Sequence, residues 1–252
     1  MNYFLAAQTE FGLKKSFNQD SVILKRAKFK GEEVCIGIIC DGMGGLSCGE
    51  LASKSIAEAF SDWFLYSYSK YESIWDESRM REDIGSIISS ENEGLLYYGK
   101  EHGIYLGTTI TAFLLAGNRF FVWHVGDSRL YKISSSKIER LTNDHTVIAK
   151  EVAEGRLTEK EAKNDPKRNV LLQCIGASER VKPDMFCGEV KKGDILLLCS
   201  DGFRHEISEK EMLSLLGRCE SNKLNEMIKR LISLNLRRNE QDNISAALVK
   251  VQ

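Results

Sequence analysis

Apolar runs of strand length dominate this chain, and they come in clusters rather than in strict alternation with helices. Runs at Tyr3–Thr9, Ser21–Phe29, Glu33–Cys40, Thr108–Leu115, Arg119–Val125, Arg129–Ile133, Met185–Val190, Asp194–Cys199 and Ile244–Val251 carry the apolar, β-branched and aromatic residues that suit a pleated surface. Helix patterns interrupt them. Ser47-x-x-Glu50 is a capping box ahead of Ala52, Ile56, Ala59, Phe60 and Trp63, which share one helical face. Arg79 to His102 reads as a second helix. Ser208-x-x-Glu211 caps another, with Met212, Leu215 and Leu216 inside, and Leu224, Met227, Ile228, Leu231 and Leu234 mark a last one. Strands that follow strands disfavour a doubly wound parallel sheet. Short strands joined by tight turns such as Gly117-Asn118 predict an α+β fold, antiparallel sheets with helices on their outer faces.

Only two prolines, Pro166 and Pro183, and no Gly/Ser linker occur in 252 residues, so a single domain spanning 1–252 is expected. A chain of that size buries a sizeable core. The stretch Asp144–Gly176 differs from the rest. It is charged, carries a further capping box at Thr158-x-x-Glu161, and holds Asp165-Pro166-Lys167-Arg168. It reads as a surface flap, at about 144–180, inserted beside the acidic positions described next. A net charge of −1 supplies no basic field for a nucleic-acid backbone. No apolar run approaches a membrane span, and Met1–Gln8 does not have the build of a signal peptide. The expectation is a cytoplasmic protein with neither nucleic acid nor membrane as partner. Seven cysteines without a C-x-x-C pair argue against zinc, and Cys35, Cys40 and Cys199 read as reduced core residues.

Aspartate stands at the mouth of apolar runs four times. Cys35–Cys40 leads into Asp41-Gly42, Phe120–Val125 into Gly126-Asp127, and Ile195–Cys199 into Ser200-Asp201-Gly202, while Asp242-Asn243 opens Ile244–Val251. Each Asp-Gly taken alone is an ordinary turn signal. Four carboxylates on rigid strand ends can instead converge on one cluster of hard cations, since Mg²⁺ and Mn²⁺ prefer carboxylate, carbonyl and water oxygens.

The order of motifs then becomes specific. Asn18-Gln19-Asp20, Asp41-Gly42-Met43-Gly44-Gly45, Gly107-Thr108-Thr109, Gly126-Asp127-Ser128-Arg129, Leu141-Thr142-x-Asp144-His145, Ser200-Asp201-Gly202 and Asp242-Asn243 follow one another over nearly the whole chain. This series resembles that of the metal-dependent protein serine/threonine phosphatases of type 2C, in their bacterial form. The resemblance implies a four-layer α-β-β-α sandwich of two antiparallel sheets. It implies two Mn²⁺ or Mg²⁺ ions with a third beside them, and hydrolysis of phosphoserine and phosphothreonine by water without a phosphoenzyme. Asp41 matches the carboxylate that bridges two ions, Gly42 a carbonyl ligand of the second, and Asp201 and Asp242 ligands of the first. Asp127 matches the acid that, with Asp201, holds the third and weaker ion. Asp20 matches an acid that orients metal-bound water. Two ions about 3.5–4 Å apart can deprotonate a shared water and offset charge on the phosphoryl oxygens. Phosphoprotein substrates are implied, a serine/threonine protein kinase or its targets among them, and the expected state is a monomer.

Three positions depart from the family pattern. Lys15 stands where members usually carry the arginine that grips substrate phosphate, and lysine brings charge without the two-pronged fork. Gln19 replaces a common glutamate and would reach the second ion only weakly, through water. Met43 replaces the histidine that animal members use as a general acid. Lys15 and Gln19 leave open a second class of function, a pseudophosphatase that binds a phosphoprotein or partner without turnover. A nucleotide loop at Gly42–Gly45 is disfavoured, because the segment lacks G-x-x-x-x-G-K-[ST]. The glycines of that loop are expected to let backbone pass close to ions and to adopt positive φ. Arg129 is expected to tie down the loop of Asp127, His145 to anchor the flap, and Thr108 and Thr109 to line the core. His102, His124 and His205 carry no assigned role.

Overall fold

The computed structural model describes residues 1–44, 48–162 and 165–252. Among these residues the chain runs β1 (Tyr3–Glu10), β2 (Asp20–Phe29), β3 (Glu32–Gly44), α1 (Cys48–Asp62), α2 (Glu77–His102), β4 (Leu106–Thr108), β5 (Ile110–Ala116), β6 (Arg119–Val125), β7 (Arg129–Ile133), β8 (Ile138–Arg140), α3 (Val147–Ala153), α4 (Glu159–Ala162), β9 (Asp184–Glu189), β10 (Ile195–Cys199), α5 (Asp201–His205), α6 (Glu209–Leu216), α7 (Leu224–Arg237) and β11 (Ile244–Val251). One sheet has the order β1-β11-β10-β7-β8 and the other β2-β3-β5-β6-β9, with β4 attached to β3, and every pairing is antiparallel.

Alternation along the strands builds the layers. In β3, Ile36, Ile38 and Cys40 pack against Ile56 and Phe60 of α1 and Ile84 and Ile88 of α2. The intervening Cys35 and Ile39 point the other way and meet Leu196, Leu198 and Val249 of the opposite sheet. In β10 and β11, Leu197 and Leu248 lie with Met212 of α6 and Ile228 and Leu231 of α7. A period of two on each strand therefore gives three apolar layers, one between the sheets and one under each helical pair. Each fully buried Leu, Ile or Phe contributes about 1.5–3 kcal/mol of transfer free energy to that stack. The result is the expected four-layer sandwich.

Local signals set the ends. Asp76 caps α2 by accepting from Arg79 N–H at 3.1 Å, and Gly103 stops the helix with a left-handed φ of 64°. Ser208 and Glu211 form the reciprocal box at the start of α6. Gly117, with φ of 58°, occupies the first position of the two-residue turn between β5 and β6. Thr158 and Glu161 exchange the bonds of their box in the flap. The box expected at Ser47 lies outside the described residues, as does Gly45.

Two expectations are corrected. β3 does not stop at Cys40. It continues through Asp41 to Gly44, because Gly42, Met43 and Gly44 pair with Thr108, Gly107 and Leu106 of β4. Gly42 is accordingly extended backbone rather than a positive-φ residue. Its lack of a side chain answers a close approach instead, since a Cβ there would sit 2.1 Å from Gly49 O and 2.5 Å from Gln19 O.

Candidate active site

Strand register brings the acids to one end of the sandwich. Asp20 opens β2 directly opposite Asp41 in β3. The partner strands reach the same end, with Ile39 opposite Thr111 and Ile110 opposite Val125, so β6 delivers Asp127 two residues after it finishes. In the other sheet Arg129, Cys199 and Ala246 stand side by side. Asp127, Asp201 and Asp242 leave that row by two to four residues and fall at the same end. Antiparallel pairing makes this possible, because strand starts and strand ends alternate along one edge.

The backbone around each acid is held from outside the cluster. Asp41 N–H donates to Thr109 Oγ1 at 3.0 Å, and its carbonyl accepts from Thr109 N–H at 2.9 Å and from Thr108 Oγ1 at 3.0 Å. The two threonines thus clamp Asp41 rather than merely line the core. Gly42 N–H donates to the Gln19 carbonyl at 3.1 Å. Asn243 joins the loop before β2 to the start of β11, accepting from Gln19 N–H at 3.0 Å and donating to the Phe17 carbonyl at 3.1 Å. Glu240 Oε1 accepts from Asp242 N–H at 2.8 Å.

The electrostatics are those of crowded anions. Asp20, Asp127 and Asp201 are 9%, 6% and 8% exposed. Burial pushes Asp20 up to about 7; the Ser245 and Ser200 hydroxyls oppose this, and the charges of Asp201 and Asp242 reinforce it. Asp127 also rises to about 7, first through burial and then through Asp201. Asp41 moves well above the usual carboxylate range through burial and through Asp20, Asp201, Asp127 and Asp242. Oδ1 of Asp201 is buried with no hydrogen-bond partner among the described residues, and the Asp20 oxygens have the Ser245 and Ser200 hydroxyls beside them without a well-formed bond. Orphaned buried acceptors of this kind cost about 1–3 kcal/mol each, more when charged, unless a cation or water meets them. Hard oxygens, excess negative charge and orphaned acceptors are a donor set that fits Mg²⁺ or Mn²⁺. Among the described residues no three such side chains are already drawn into a closed ligand shell.

Basic residues ring the acids. Lys15 Nζ lies 2.7 Å from Asp242 Oδ1, at the half-exposed rim. Burial alone would lower its pKa, and the bond to Asp242 with the charges of Asp41 and Asp201 outweighs that and raises it. Arg129 does not bond Asp127. It holds Asp144 with two bonds, at 2.8 and 2.6 Å, and that carboxylate stays ionised against its burial. Asp127 is met by Arg204 instead, at 3.1 Å. His205 stands 3.5 Å from Asp201 and 3.4 Å from Glu240. Burial would lower its pKa, but the two carboxylates raise it. His145 accepts from Gly126 N–H at Nδ1, 3.2 Å, which leaves its Nε2 to donate to Asp184 at 3.2 Å. It therefore joins the flap to the loop of Asp127, as expected. Arg204, His205 and Glu240 went unassigned from sequence. The signal for the first was spacing, since Arg204 follows Asp201 by three residues and shares its helical face.

The protein phosphatase 2C family profile matches residues 13–251. A putative protein phosphatase 2C-type from Streptococcus pyogenes serotype M6 is 32% identical over 248 residues, covering 97% of this chain and 96% of that protein. The serine/threonine protein phosphatase PstP of Mycobacterium tuberculosis is 30% identical over 98% of this chain, which spans 44% of PstP's own length. A solved structure of the PstP catalytic domain, in complex with two manganese ions, superposes with a TM-score of 0.81 at 29% identity over all of both chains. The S. agalactiae serine/threonine phosphatase superposes with a TM-score of 0.88 at 30% identity, again over the full length of both. With fold and near-complete sequence coverage agreeing, the chain belongs to the protein phosphatase 2C family, the metal-dependent serine/threonine phosphatases.

Proposed function

We propose that this phosphatase holds two divalent ions, Mn²⁺ or Mg²⁺, on Asp41, the Gly42 carbonyl, Asp201 and Asp242. Asp127 and Asp201 would share a third, weaker ion, and Gln19 would reach the second through water. Bound ions of this kind acidify water and neutralise charge on phosphoryl oxygens. The observation that carries the reading is the arrival of five aspartates at one end of the sandwich with carboxylate oxygens left unbonded. Asp20, opposite Asp41, would orient the metal-bound water. Lys15 at the rim supplies the positive charge that meets the substrate phosphate, as a point charge rather than a fork. The substrates are phosphoserine and phosphothreonine on proteins, including a serine/threonine kinase or its targets. The enzyme would act as a cytoplasmic monomer, one domain whose flap at about 144–180 borders the site.

The test is hydrolysis of a phosphothreonine peptide by wild type and Asp201→Asn, with chelator and then with Mn²⁺. Chelator should abolish wild-type turnover and Mn²⁺ restore it. Asp201→Asn should stay down by on the order of 100-fold or more, since loss of even an outer partner at a metal centre costs 10–100-fold. Equal wild-type turnover with and without chelator would sink the proposal.

A further inference from the structure

Asp127 already faces a cation that the protein supplies. Arg204 sits in α5, and its Nη2 donates to the Asp127 carboxylate and to the Asp127 backbone carbonyl, each at 3.1 Å. The same nitrogen lies 3.9 Å from Asp144 Oδ2, and Arg129 grips both oxygens of Asp144. Two guanidiniums therefore face Asp127 and Asp144 and offset part of the negative charge that Asp201 adds beside them. At the strand pair the acids meet one another instead. Asp20 and Asp41 face each other across paired strands, and the charges that act on Asp20 are those of Asp201 and Asp242. The Arg204–Asp127 pair is also well enclosed, with side chains only 15% and 9% exposed. Arg204 Nε is buried with no hydrogen-bond partner among the described residues, so one nitrogen carries the contacts described above.

We propose that Arg204 is a built-in counter-cation that weakens divalent-ion binding at Asp127, making this enzyme a two-ion centre in which a guanidinium stands beside Asp127 in place of a tightly held third ion. The inference rests on the reading that Asp41, Asp201 and Asp242 hold the first two ions. An ion approaching Asp127 must either displace the guanidinium from an enclosed pair or sit beside its charge. Both are unfavourable where water screens poorly. Arg204 is a positioning residue in this scheme. It sets how many ions the acids hold and touches none of the reacting atoms.

Mn²⁺ titration followed by calorimetry, on wild type, Arg204→Met and Arg204→Lys, tests the idea. Methionine keeps the length of the side chain and removes its charge. It should tighten the weakest Mn²⁺ site by about tenfold or more, a change of about 1.4 kcal/mol. The tight sites should move by less than about twofold, and lysine should keep the wild-type pattern. Should the methionine variant fail to fold, Arg204→Gln carries the same neutral-charge comparison. An Mn²⁺ isotherm unchanged by methionine or glutamine in a folded protein overturns the role of Arg204 alone. Wild type that binds no Mn²⁺ overturns the metal reading beneath it.

Discussion

His124 should set the acid limit of this fold. The ring is fully buried in β6, with Nε2 2.9 Å from the Asn143 carbonyl and Nδ1 2.9 Å from the Thr111 hydroxyl. The His145 ring lies 4.7 Å away. Burial, with the neighbouring charge of His145, lowers the His124 pKa to about 4, and the backbone of Asn143 with Asp144 and Asp184 opposes this only in part. An unfolded histidine titrates near 6.5. A depressed folded pKa means that the unfolded chain binds more protons between those two values. Stability is then fully present above about pH 6.5 and drains as pH falls toward 4. Each pKa unit is worth 1.36 kcal/mol, so the whole loss is about 3 kcal/mol, of which about 2 has gone by pH 5. Asp20 and Asp127, raised by burial, change stability in the opposite sense over the same range. A difference between two proteins is therefore needed to isolate the histidine.

His124→Gln supplies that difference, because the amide can still donate to Asn143 while holding no titrating ring. Urea unfolding of both proteins at pH 7.5, 6, 5 and 4.5, at fixed ionic strength and with the same chelator, gives the two curves. The glutamine variant should start less stable, through lost packing, and should gain on wild type by about 2 kcal/mol by pH 5. A gap between the curves that stays constant with pH would refute the reasoning. It would mean that His124 is protonated, or equally accessible, in both states.

Asp20→Asn should lose phosphatase activity yet melt higher than wild type in chelator, because it removes one anion from the crowded cluster, and Mn²⁺ should narrow the gap in thermal melts. No gain in chelator would mean that the acids do not strain the metal-free fold. Gly42→Ala should cost about 3 kcal/mol or more, since its Cβ meets backbone at 2.1 Å, and overpacking against side chains alone already costs about 1–3. Gly94→Ala, on an exposed stretch of α2 with no atom within 4 Å of the new Cβ, should instead stabilise by up to about 1 kcal/mol in urea melts.

Local pattern made much of this fold legible in advance. β6, β7 and β11 have the expected bounds, since each is a short apolar run with turn residues beside it. The extension of β3 was hidden. Asp41-Gly42-Met43-Gly44 has the composition of a turn, and what makes it a strand is β4, more than 60 residues away. β8 is three residues long, too short for a period to show. The acids could be found because each sits beside a strand-like run. Their supports could not. Arg204 meets Asp127 across 77 positions and Asn243 meets Gln19 across 224, and nothing local marks either pair. Arg129 ties down the loop of Asp127 as expected, but its partner has the same origin, since Asp144 stands 15 positions on and comes back to it after β8.

The division of acids between two sheets has a consequence for how the site is kept in shape. Asp20 and Asp41 belong to one sheet, while Asp201 and Asp242 flank strands of the other, so no backbone ladder fixes the distance between the two halves. That distance is set by the apolar layer between the sheets, where Cys35, Ile39 and Phe113 meet Leu196, Leu198 and Val249, together with the Asn243 bonds to Gln19 and Phe17. Gly37 shows how close the fit is. A Cβ there would come 2.6 Å from the Phe113 ring and 3.1 Å from Leu198 Cδ1. Interiors packed to this density do not slide continuously, so the two halves of the site keep their spacing even while the carboxylates repel. The hydrophobic layer thus acts on the chemistry through position. It holds anions of two sheets near enough for shared cations to bridge, against a repulsion that would otherwise part them.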